Sequence, residues 1–341
     1  MDIKAVDYGP AKTRPLLSII IPVFNESLRI PRSASLLNEA LTIGYIDRAT
    51  TEIIVIDDGS TDDSHSVVKK LVSQLVPNFQ LIRLPSNQGK GAAIREGVKN
   101  ASGEFTIFLD LDVPVDLAQI PELLRVLRTS PIAIGSRSLP ESFSQIDRRH
   151  RVLMGKTYSF LVNALLPLKI KDTQCGFKGF QTPISQLLFY FLEIKRYGFD
   201  IQILSHARRL DLKIEEVPVN WSDIAGSKIN PIRDSAAMIR DLLKMCLIRH
   251  QRPKTGILIK SSVLDDAELD KRLREELEKA QVECNYFHLG RGFRLVIPSL
   301  GGDRRFNTSI DKLDFEDSGL VLMSRNVTLG MIAKIQSESE E

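Results

Sequence analysis

The fold is decided by a short run near the N-terminus, LLSIIIPV, which occupies residues 16–23. A run of this length that is apolar and rich in β-branched residues is typical of a strand buried on both faces of a parallel sheet. Four similar runs follow, with helical stretches between them, and this alternation predicts βαβ units in an α/β fold. The four runs are Glu52–Ile56, Phe79–Leu84, Phe105–Leu109 and Pro131–Ile134.

Beyond Gly135 the regular alternation of strands and helices stops. A long apolar stretch, His150–Leu168, predicts a helix, whereas Asp172–Phe180 reads as a loop that contains glycine and cysteine. A further strand is predicted over Lys213–Val219 and a basic helix over Asp234–His250. Other helices are predicted over Ser27–Ile43, Asp62–Leu75, Gly91–Asn100, Leu117–Arg128, Pro183–Leu192 and Asp200–Leu210.

The chain is expected to consist of a main domain, residues 16–250, and a small C-terminal α+β domain, residues 255–335. A polar extension, residues 1–15, precedes the main domain, and an acidic tail, residues 336–341, ends the chain. The C-terminal domain has a strongly charged predicted helix over Asp265–Val282 and carries no motif that indicates its role.

Composition narrows the class of protein. Lys and Arg number 46 and Asp and Glu 43, so the net charge is 46 − 43 = +3, which argues against nucleic acid as the main partner. Three widely separated cysteines, Cys175, Cys246 and Cys284, fit a reducing compartment. No signal-peptide pattern and no run of about 18 apolar residues occurs, so we expect a cytoplasmic protein without a transmembrane helix, which at most binds a membrane surface.

Polar groups follow four of the predicted strands: Asn25-Glu26, Asp57-Asp58, Asn87–Gly91 and Asp110-Leu111-Asp112. Ligands of open parallel sheets bind beyond the carboxyl ends of the strands, so these groups are expected to meet. The second group also reads as a simple turn with a helix N-cap. The third lacks the spacing of a P-loop.

Asp110 and Asp112 come directly after a buried apolar strand. They could form a solvated loop, but two carboxylates at such a place are costly unless they meet a cation. Alternate residues of a strand share a face, so both side chains can point into one cleft. Oxygen ligands suit Mg²⁺ and Mn²⁺ alike, and such an ion neutralises a diphosphate leaving group.

Four motifs occur in order along the chain: LSIIIPVFNE, EIIVIDDGSTDDS, NQGKGAAIREG and FLDLDVP. Together they resemble the family 2 glycosyltransferases, over about residues 16–250. Within that family the chain is most similar to the dolichyl-phosphate β-glucosyltransferases, and next to the other polyprenyl-phosphate sugar synthases. The segments that carry this closer similarity are Gly135–Arg137, Lys171–Lys178 and Val219–Lys228.

The resemblance implies a GT-A fold, which is a Rossmann-like three-layer sandwich with a mostly parallel sheet. It also implies metal-dependent transfer of a hexose, with inversion, from a UDP-sugar to a polyprenyl or dolichyl phosphate at a membrane surface. UDP-glucose is the favoured donor. One departure is Leu111, where relatives often have alanine, and a larger side chain there would reshape the sugar pocket.

The resemblance also assigns site residues. Asp110 and Asp112 would hold the metal, with Asp112 favoured for direct contact, and Asp57 and Asp58 would hold the uracil and ribose. The catalytic set would be Asp112, Asp172, Arg137 and Lys178. The full nucleotide-sugar set would be Pro22, Asn25, Glu26, Asp57, Asp58, Lys90, Asp110, Gln174 and Trp221.

The acceptor decides what Asp172 must do. A hydroxyl acceptor needs a general base, whereas a phosphomonoester is already largely anionic near neutral pH. For a polyprenyl phosphate, Arg137, Lys178 and Lys228 would hold the acceptor phosphate, and arginine suits bidentate contact. Asp172 would then position the acceptor or the sugar.

Other interpretations stay open at this point. A glycosyltransferase of the same fold could act on a hydroxyl-bearing acceptor, or the chain could be a non-catalytic nucleotide-sugar sensor. A nucleotidyltransferase is disfavoured, because Pro22–Glu26 stands where its glycine-rich phosphate loop is expected. Two stretches, Arg148–Leu168 and Asp234–His250, combine basic residues with apolar ones and read either as core helices or as helices on an anionic membrane. Oligomeric state is left open.

Overall fold

The structure is a computed structural model, and most of its described residues lie in the first three quarters of the chain. The described residues are 15–145, 158–159, 161–166, 168–190, 192–196, 198–210, 212–222, 231–249, 253–260, 271–272, 275, 284–288, 293–298 and 321–328.

Thirteen strands are described. In chain order they are β1 (Leu17–Val23), β2 (Thr51–Asp57), β3 (Asn78–Arg83), β4 (Phe105–Phe108), β5 (Ile132–Ser136), β6 (Phe143–Gln145), β7 (Lys178–Gln181), β8 (Ile214–Pro218), β9 (Asn220–Ser222), β10 (Pro253–Lys260), β11 (Cys284–His288), β12 (Phe293–Pro298) and β13 (Val321–Thr328).

Within the described ranges, seven named helices accompany them, with one 3₁₀ turn at Leu117–Gln119. The helices are α1 (Ile30–Ile43), α2 (Ser64–Leu71), α3 (Lys90–Asn100), α4 (Ile120–Leu127), α5 (Thr182–Tyr190), α6 (Phe199–Arg209) and α7 (Pro231–Arg249). Residues 158–159 and 161–165 are also helical, within the helix predicted over His150–Leu168.

The main sheet has seven strands in the order β3-β2-β1-β4-β7-β5-β8. Strand β1 pairs in parallel with β2 and with β4, so the carboxyl ends of these three strands meet at one edge. The expected mostly parallel sheet is confirmed, with one exception. Strand β7 runs antiparallel between β4 and β5.

Strand β7 is the main departure from the sequence prediction, which treated Asp172–Phe180 as a loop. Its four residues, KGFQ, contain no apolar run, so the pattern gives no strand signal. Tertiary pairing forms this strand, because β4 and β5 each offer it a row of backbone hydrogen bonds.

Both faces of the sheet are covered, which explains why β1 and β2 are apolar without alternation. On one face Ile20 and Ile54 pack with α3, α5, α6 and α7. On the other, Ile19 and Val55 pack with α1, α2 and α4. The result is the three-layer sandwich that the family resemblance implies, with two cores separated by one sheet.

A second, four-stranded sheet lies in the C-terminal part, in the antiparallel order β11-β12-β10-β13. This sheet lies in the part of the chain where a small C-terminal α+β domain is predicted. The domain boundaries at 250 and 255 stay predictions. Among the described residues, no helix combines the length and apolar character needed to cross a membrane.

Candidate active site

The loop after β1 is tied to the loop after β2. Asn25 has a left-handed backbone, with φ 53°. Its side-chain oxygen accepts hydrogen bonds from the Thr61 amide at 2.7 Å, and its own amide donates to Ser60 Oγ at 3.0 Å. The Glu26 amide donates to Ser64 Oγ at 2.7 Å. Asn25 and Glu26, which are expected at the nucleotide, therefore also fix the shape of this edge of the sheet. Pro22, at the end of β1, is half-buried.

Asp57 is fully buried at the end of β2. Its carboxylate accepts the Ser60 amide at 2.8 Å and contacts His65 Nδ1 at 3.1 Å and Arg83 Nε at 3.5 Å. His65 and Arg83 are partly exposed, so Asp57 presents two nitrogen-bearing side chains at the rim of the cleft. Neither was identified from the sequence. The predicted contact between Asp57 and the uracil stays a prediction.

Asp58 holds the start of α3. Its two carboxylate oxygens accept the amides of Gln88 at 2.7 Å and Gly89 at 2.8 Å. Burial raises the pKa of Asp58, and these two amides oppose that rise. Gly89 has φ +104°, and a Cβ there would lie 2.5 Å from the Lys195 carbonyl oxygen, so glycine is required. The glycine-rich motif thus sets the position of the next residue, Lys90.

Lys90 is the first residue of α3, and its ammonium forms an ion pair with Asp110. The same ammonium lies 5.9 Å from the centre of the Phe199 ring. Burial alone would lower the pKa of Lys90, but the carboxylates of Asp110 and Asp200 outweigh it and the pKa is raised. Lys90 therefore keeps its positive charge at the carboxyl end of β4.

Asp110 and Asp112 lie together at this edge. The pKa of Asp112 is raised to about 6, first by burial and then by the negative charge of Asp110. The intervening backbone is held from α1, because Ser33 Oγ donates to the Leu111 carbonyl and Arg32 donates to the Asp112 carbonyl at 2.9 Å. A carboxylate whose pKa is raised by a neighbouring carboxylate is suited to a hard cation, which would offset the repulsion between the two.

The donor set fits a cation that is completed by substrate. No group of three or more His, Cys, Asp or Glu ligands occurs in the part of the chain that the structure describes. Mg²⁺ is usually held by one or two carboxylates together with substrate phosphates and water, so the pair of Asp110 and Asp112 is sufficient. Gly176 packs against Asp110, and a Cβ at Gly176 would clash with Asp110 Oδ2.

The loop that contains Gly176 also holds Arg137. Asp172 Oδ2 accepts a hydrogen bond from Arg137 Nε at 2.7 Å, and Asp172 Oδ1 accepts one from a terminal guanidinium nitrogen of Arg137 at 3.0 Å. The Arg137 amide also donates to Asp172 Oδ2 at 3.0 Å. Burial alone would raise the pKa of Asp172, but Arg137 lowers it. Asp172 is therefore an ionised carboxylate committed to one cation.

Arg137 is fixed from a second side by Trp221 of β9, whose ring centre lies 5.0 Å from the guanidinium carbon. Strands β6 and β9 pair in parallel and bring Trp221 to this place. Gln174, also expected at the sugar, is half-buried in the same loop, and its amide donates to Asp172 Oδ1 at 3.2 Å. Glu216 of β8 accepts the amide of Asp172 at 3.2 Å and steadies the loop.

Lys178 lies elsewhere than expected for a residue that holds an acceptor phosphate. It stands in β7, in the middle of the sheet, and is 1% exposed. Its ammonium donates to Asp200 Oδ1 at 2.6 Å and to the Cys175 carbonyl at 2.5 Å, and it lies 5.7 Å from the Phe108 ring centre. This geometry makes Lys178 a buried ion-pair partner rather than a group that faces the cleft. The physical reason is β7 itself, which the sequence did not predict.

Two further residues named from the sequence are Cys175 and Lys228. Cys175 is fully buried, and burial raises the pKa of its thiol to about 12, which agrees with a packing role rather than a nucleophilic one. Lys228 lies outside the described residues. Asp200 was not identified as a site residue from the sequence. The one sequence feature that marks it is its position directly after Phe199, at the start of α6.

A mostly parallel sheet with a carboxylate pair at the end of its central strands defines the class, a GT-A glycosyltransferase. The family model described as glycosyl transferase family 2 matches residues 18–189. The chain belongs to this family.

Curated relatives agree with that assignment. The dolichyl-phosphate β-glucosyltransferase of Homo sapiens is 35% identical, over 67% of this chain and 74% of the relative. The enzyme of the same name from Drosophila melanogaster is 36% identical, over 70% of this chain and 78% of the relative. Among solved structures, glucosyl-3-phosphoglycerate synthase from Mycobacterium tuberculosis, in complex with Mn²⁺, UDP-glucose and phosphoglyceric acid, is 22% identical. Its TM-score is 0.51, over 72% of this chain and 84% of that one, and this likeness supports the fold alone.

Proposed function

We propose that this protein is an inverting, metal-dependent glucosyltransferase that transfers glucose from UDP-glucose to the phosphate of a dolichyl-type polyprenyl phosphate. The observation that carries the proposal is the ion pair of Asp172 with Arg137, beside the carboxylate pair of Asp110 and Asp112. The names of the curated relatives support the same donor sugar and acceptor.

On the donor side, Asp110 and Asp112 would hold a divalent cation, Mg²⁺ or Mn²⁺. When bound, the cation supplies Lewis-acid assistance to departure of the nucleoside diphosphate. Asn25 and Asp58 shape the nucleotide edge through the hydrogen bonds that fix its loops. Lys90 adds a positive charge that can meet the donor phosphates or the sugar.

On the acceptor side, the state of Asp172 favours a phosphate over a hydroxyl group. Asp172 is the residue expected to act as base for a hydroxyl acceptor, but Arg137 engages both of its oxygens. A phosphate acceptor is already anionic and needs no base. Arg137 keeps 27% of its side-chain surface exposed and is held rigidly by Asp172 and Trp221, so it is suited to receive the acceptor phosphate.

The acceptor places the reaction at a membrane surface, and two helices offer an apolar face. Leu161 and Leu165 are exposed one turn apart in the helical segment formed by residues 158–159 and 161–165, and Ile239 and Leu243 are exposed one turn apart in α7. Tyr158 Oη donates to the Met238 carbonyl at 3.3 Å, so the segment and α7 pack together.

Exposed basic side chains accompany this face. On α7, Arg240 is 78% and Lys244 is 56% exposed, next to the apolar pair. Apolar residues flanked by cations suit an anionic bilayer surface. This face supports the proposal that the protein binds a membrane surface as a peripheral protein, and we propose the cytoplasmic face.

Vesicle co-sedimentation tests the membrane surface. Replacing Ile239 and Leu243 with serine should lower binding to phosphatidylserine vesicles. The matched control is Ile43→Ser, since Ile43 is 55% exposed at the end of α1, in the opposite helix layer. Equal binding of the double variant and the wild type would refute this face.

Transfer of radiolabel tests the reaction. The wild type should move label from UDP-[¹⁴C]glucose into short-chain polyprenyl phosphate with Mg²⁺ and not with EDTA, and Asp112→Ala should abolish the transfer. Donor hydrolysis or tight UDP-glucose binding without a lipid product would point to a different acceptor. Absence of both turnover and binding of UDP-glucose would refute the donor assignment.

Residues 255–335 remain proposed as a separate domain, which the second sheet supports.

A further inference from the structure

Four charges of alternating sign lie along the buried side of the active site. Lys178 pairs with Asp200 at 2.6 Å, and Lys90 pairs with Asp110. The two pairs are also coupled to each other, because Asp200 contributes to the raised pKa of Lys90 and Asp110 acts on that of Asp200. One of these carboxylates, Asp110, is also a proposed metal ligand, so a protein cation already neutralises part of the metal site.

The position of Lys90 on Asp110 is built in. Asp58 fixes the two amides that precede Lys90, at 2.7 and 2.8 Å, and so sets where α3 begins. The Phe199 ring lies 5.9 Å from the ammonium and gives it an aromatic neighbour on the side of α6. These contacts position the backbone and the side chain of Lys90, so its ion pair with Asp110 is a defined part of the site rather than an incidental surface contact.

A divalent cation and an ammonium group compete for the same carboxylate. Two positive charges beside one partly buried carboxylate repel each other, and a doubly charged ion is repelled more strongly than a singly charged one. A cation that binds Asp110 while Lys90 remains there meets this repulsion. Binding of the donor would relieve this repulsion, because its diphosphate carries negative charge that attracts Lys90.

We propose that Lys90 is a built-in competitor of the metal ion, which neutralises Asp110 in the metal-free protein and is drawn away by the diphosphate of the donor. The cation then binds tightly only together with the nucleotide. This inference rests on the proposed function for the identity of the donor and deepens the role of the metal site.

Asp200 makes this exchange feasible. A buried ammonium that lost its only carboxylate would carry an uncompensated charge. Asp200 also stabilises the charge of Lys90, so departure from Asp110 does not leave the ammonium without a counter-charge. Lys178 holds Asp200 in place through the contact at 2.6 Å and opposes the rise in the pKa of Asp200 that burial causes.

Titration of the full-length protein with Mn²⁺, followed by the electron paramagnetic resonance signal of the free ion, tests the proposal with and without UDP. Lys90→Met should bind Mn²⁺ without UDP at least about tenfold more tightly than the wild type, because the repulsion is gone. The increase in affinity that UDP causes should be smaller in this variant. Lys99→Met is the matched control, since Lys99 is exposed in the last turn of the same helix and should leave Mn²⁺ binding unchanged.

Equal or weaker binding of Mn²⁺ by Lys90→Met would overturn the proposal, provided that circular dichroism shows a native fold. If that variant does not fold, Lys90→Gln serves in its place. The wild type gives a second test that needs no variant: Mn²⁺ binding that is as tight without UDP as with it would also overturn the proposal. None of these measurements involves glucose or lipid, so a failure of the proposed acceptor would leave their interpretation intact.

Discussion

The buried pair of Lys178 and Asp200 allows a sharp test of the structure against the sequence interpretation. Lys178 is 1% and Asp200 10% exposed in the side chain, and their charged atoms are 2.6 Å apart. Replacing Lys178 with methionine keeps most of the packing volume but leaves the carboxylate of Asp200 without its nearest cation. Removal of one partner from a buried ion pair typically costs about 3–5 kcal/mol, and we expect a loss of unfolding free energy of this size.

The loss should depend on pH. Burial raises the pKa of Asp200 from the ordinary 3.8 even with Lys178 present, and removal of Lys178 should raise it further. A carboxyl whose pKa is higher in the folded than in the unfolded state binds more protons when folded. The Lys178→Met variant should therefore lose stability as pH rises above the ordinary pKa of the carboxyl, and should regain part of it in acid.

Urea denaturation followed by circular dichroism measures both effects. The matched control is the double variant, Lys178→Met with Asp200→Asn, which removes both charges. Its loss should be smaller than the sum of the two single losses by about 1–3 kcal/mol, as is usual for residues in direct contact. If Lys178→Met costs less than about 1 kcal/mol while lipid transfer collapses, the buried ion pair is not its main role, and the acceptor-phosphate interpretation gains.

Three further predictions follow from other contacts. Gly176→Ala places a methyl group against Asp110 Oδ2, and a displacement of about 1 Å at such a site should lower transfer about 100-fold with an unchanged melting temperature. Normal turnover would contradict the contact. Arg137→Lys keeps the charge but loses the two-nitrogen contact, so the KM for polyprenyl phosphate should rise while UDP binding in calorimetry stays the same. Iodoacetamide at about pH 8 should leave Cys175 unmodified in the native protein, because burial raises the pKa of its thiol to about 12. The half-buried Cys246 should react, and peptide mass analysis would show the difference.

Much of the donor half of the molecule could be predicted from the sequence. Apolar runs such as LSIIIPV and EIIVID read directly as strands, because a parallel strand that is buried on both faces must be apolar throughout. Parallel neighbours then bring Asn25, Asp57 and Asp110 to one edge, as the structure confirms. Local pattern is sufficient here because each element carries its own signal.

The acceptor half is harder to predict, because its contacts join residues that are distant in sequence. Strand β7 forms only between two strands that precede it by many residues, and so nothing in KGFQ indicates that Lys178 is interior. Likewise, Arg137 and Asp172 were both identified from the sequence, but their mutual contact was not, since it depends on how the 172–177 loop returns to β5. Asp200 was missed because a lone aspartate at a helix start is ordinarily a solvated first-turn residue.

The 172–177 loop links the two halves of the proposed reaction. At one end Asp172 holds Arg137, the proposed acceptor cation, and near the other Gly176 leaves room for nothing larger than hydrogen beside Asp110, a proposed metal ligand. One short segment therefore sets how far the donor charges lie from the acceptor charge. The reaction must bring two anionic phosphates together, so this spacing matters more than any proton transfer. Glu216 anchors the loop to β8, at the edge of the main sheet, through the amides of Lys171 and Asp172, and this anchor makes the spacing a property of the sheet rather than of a free loop.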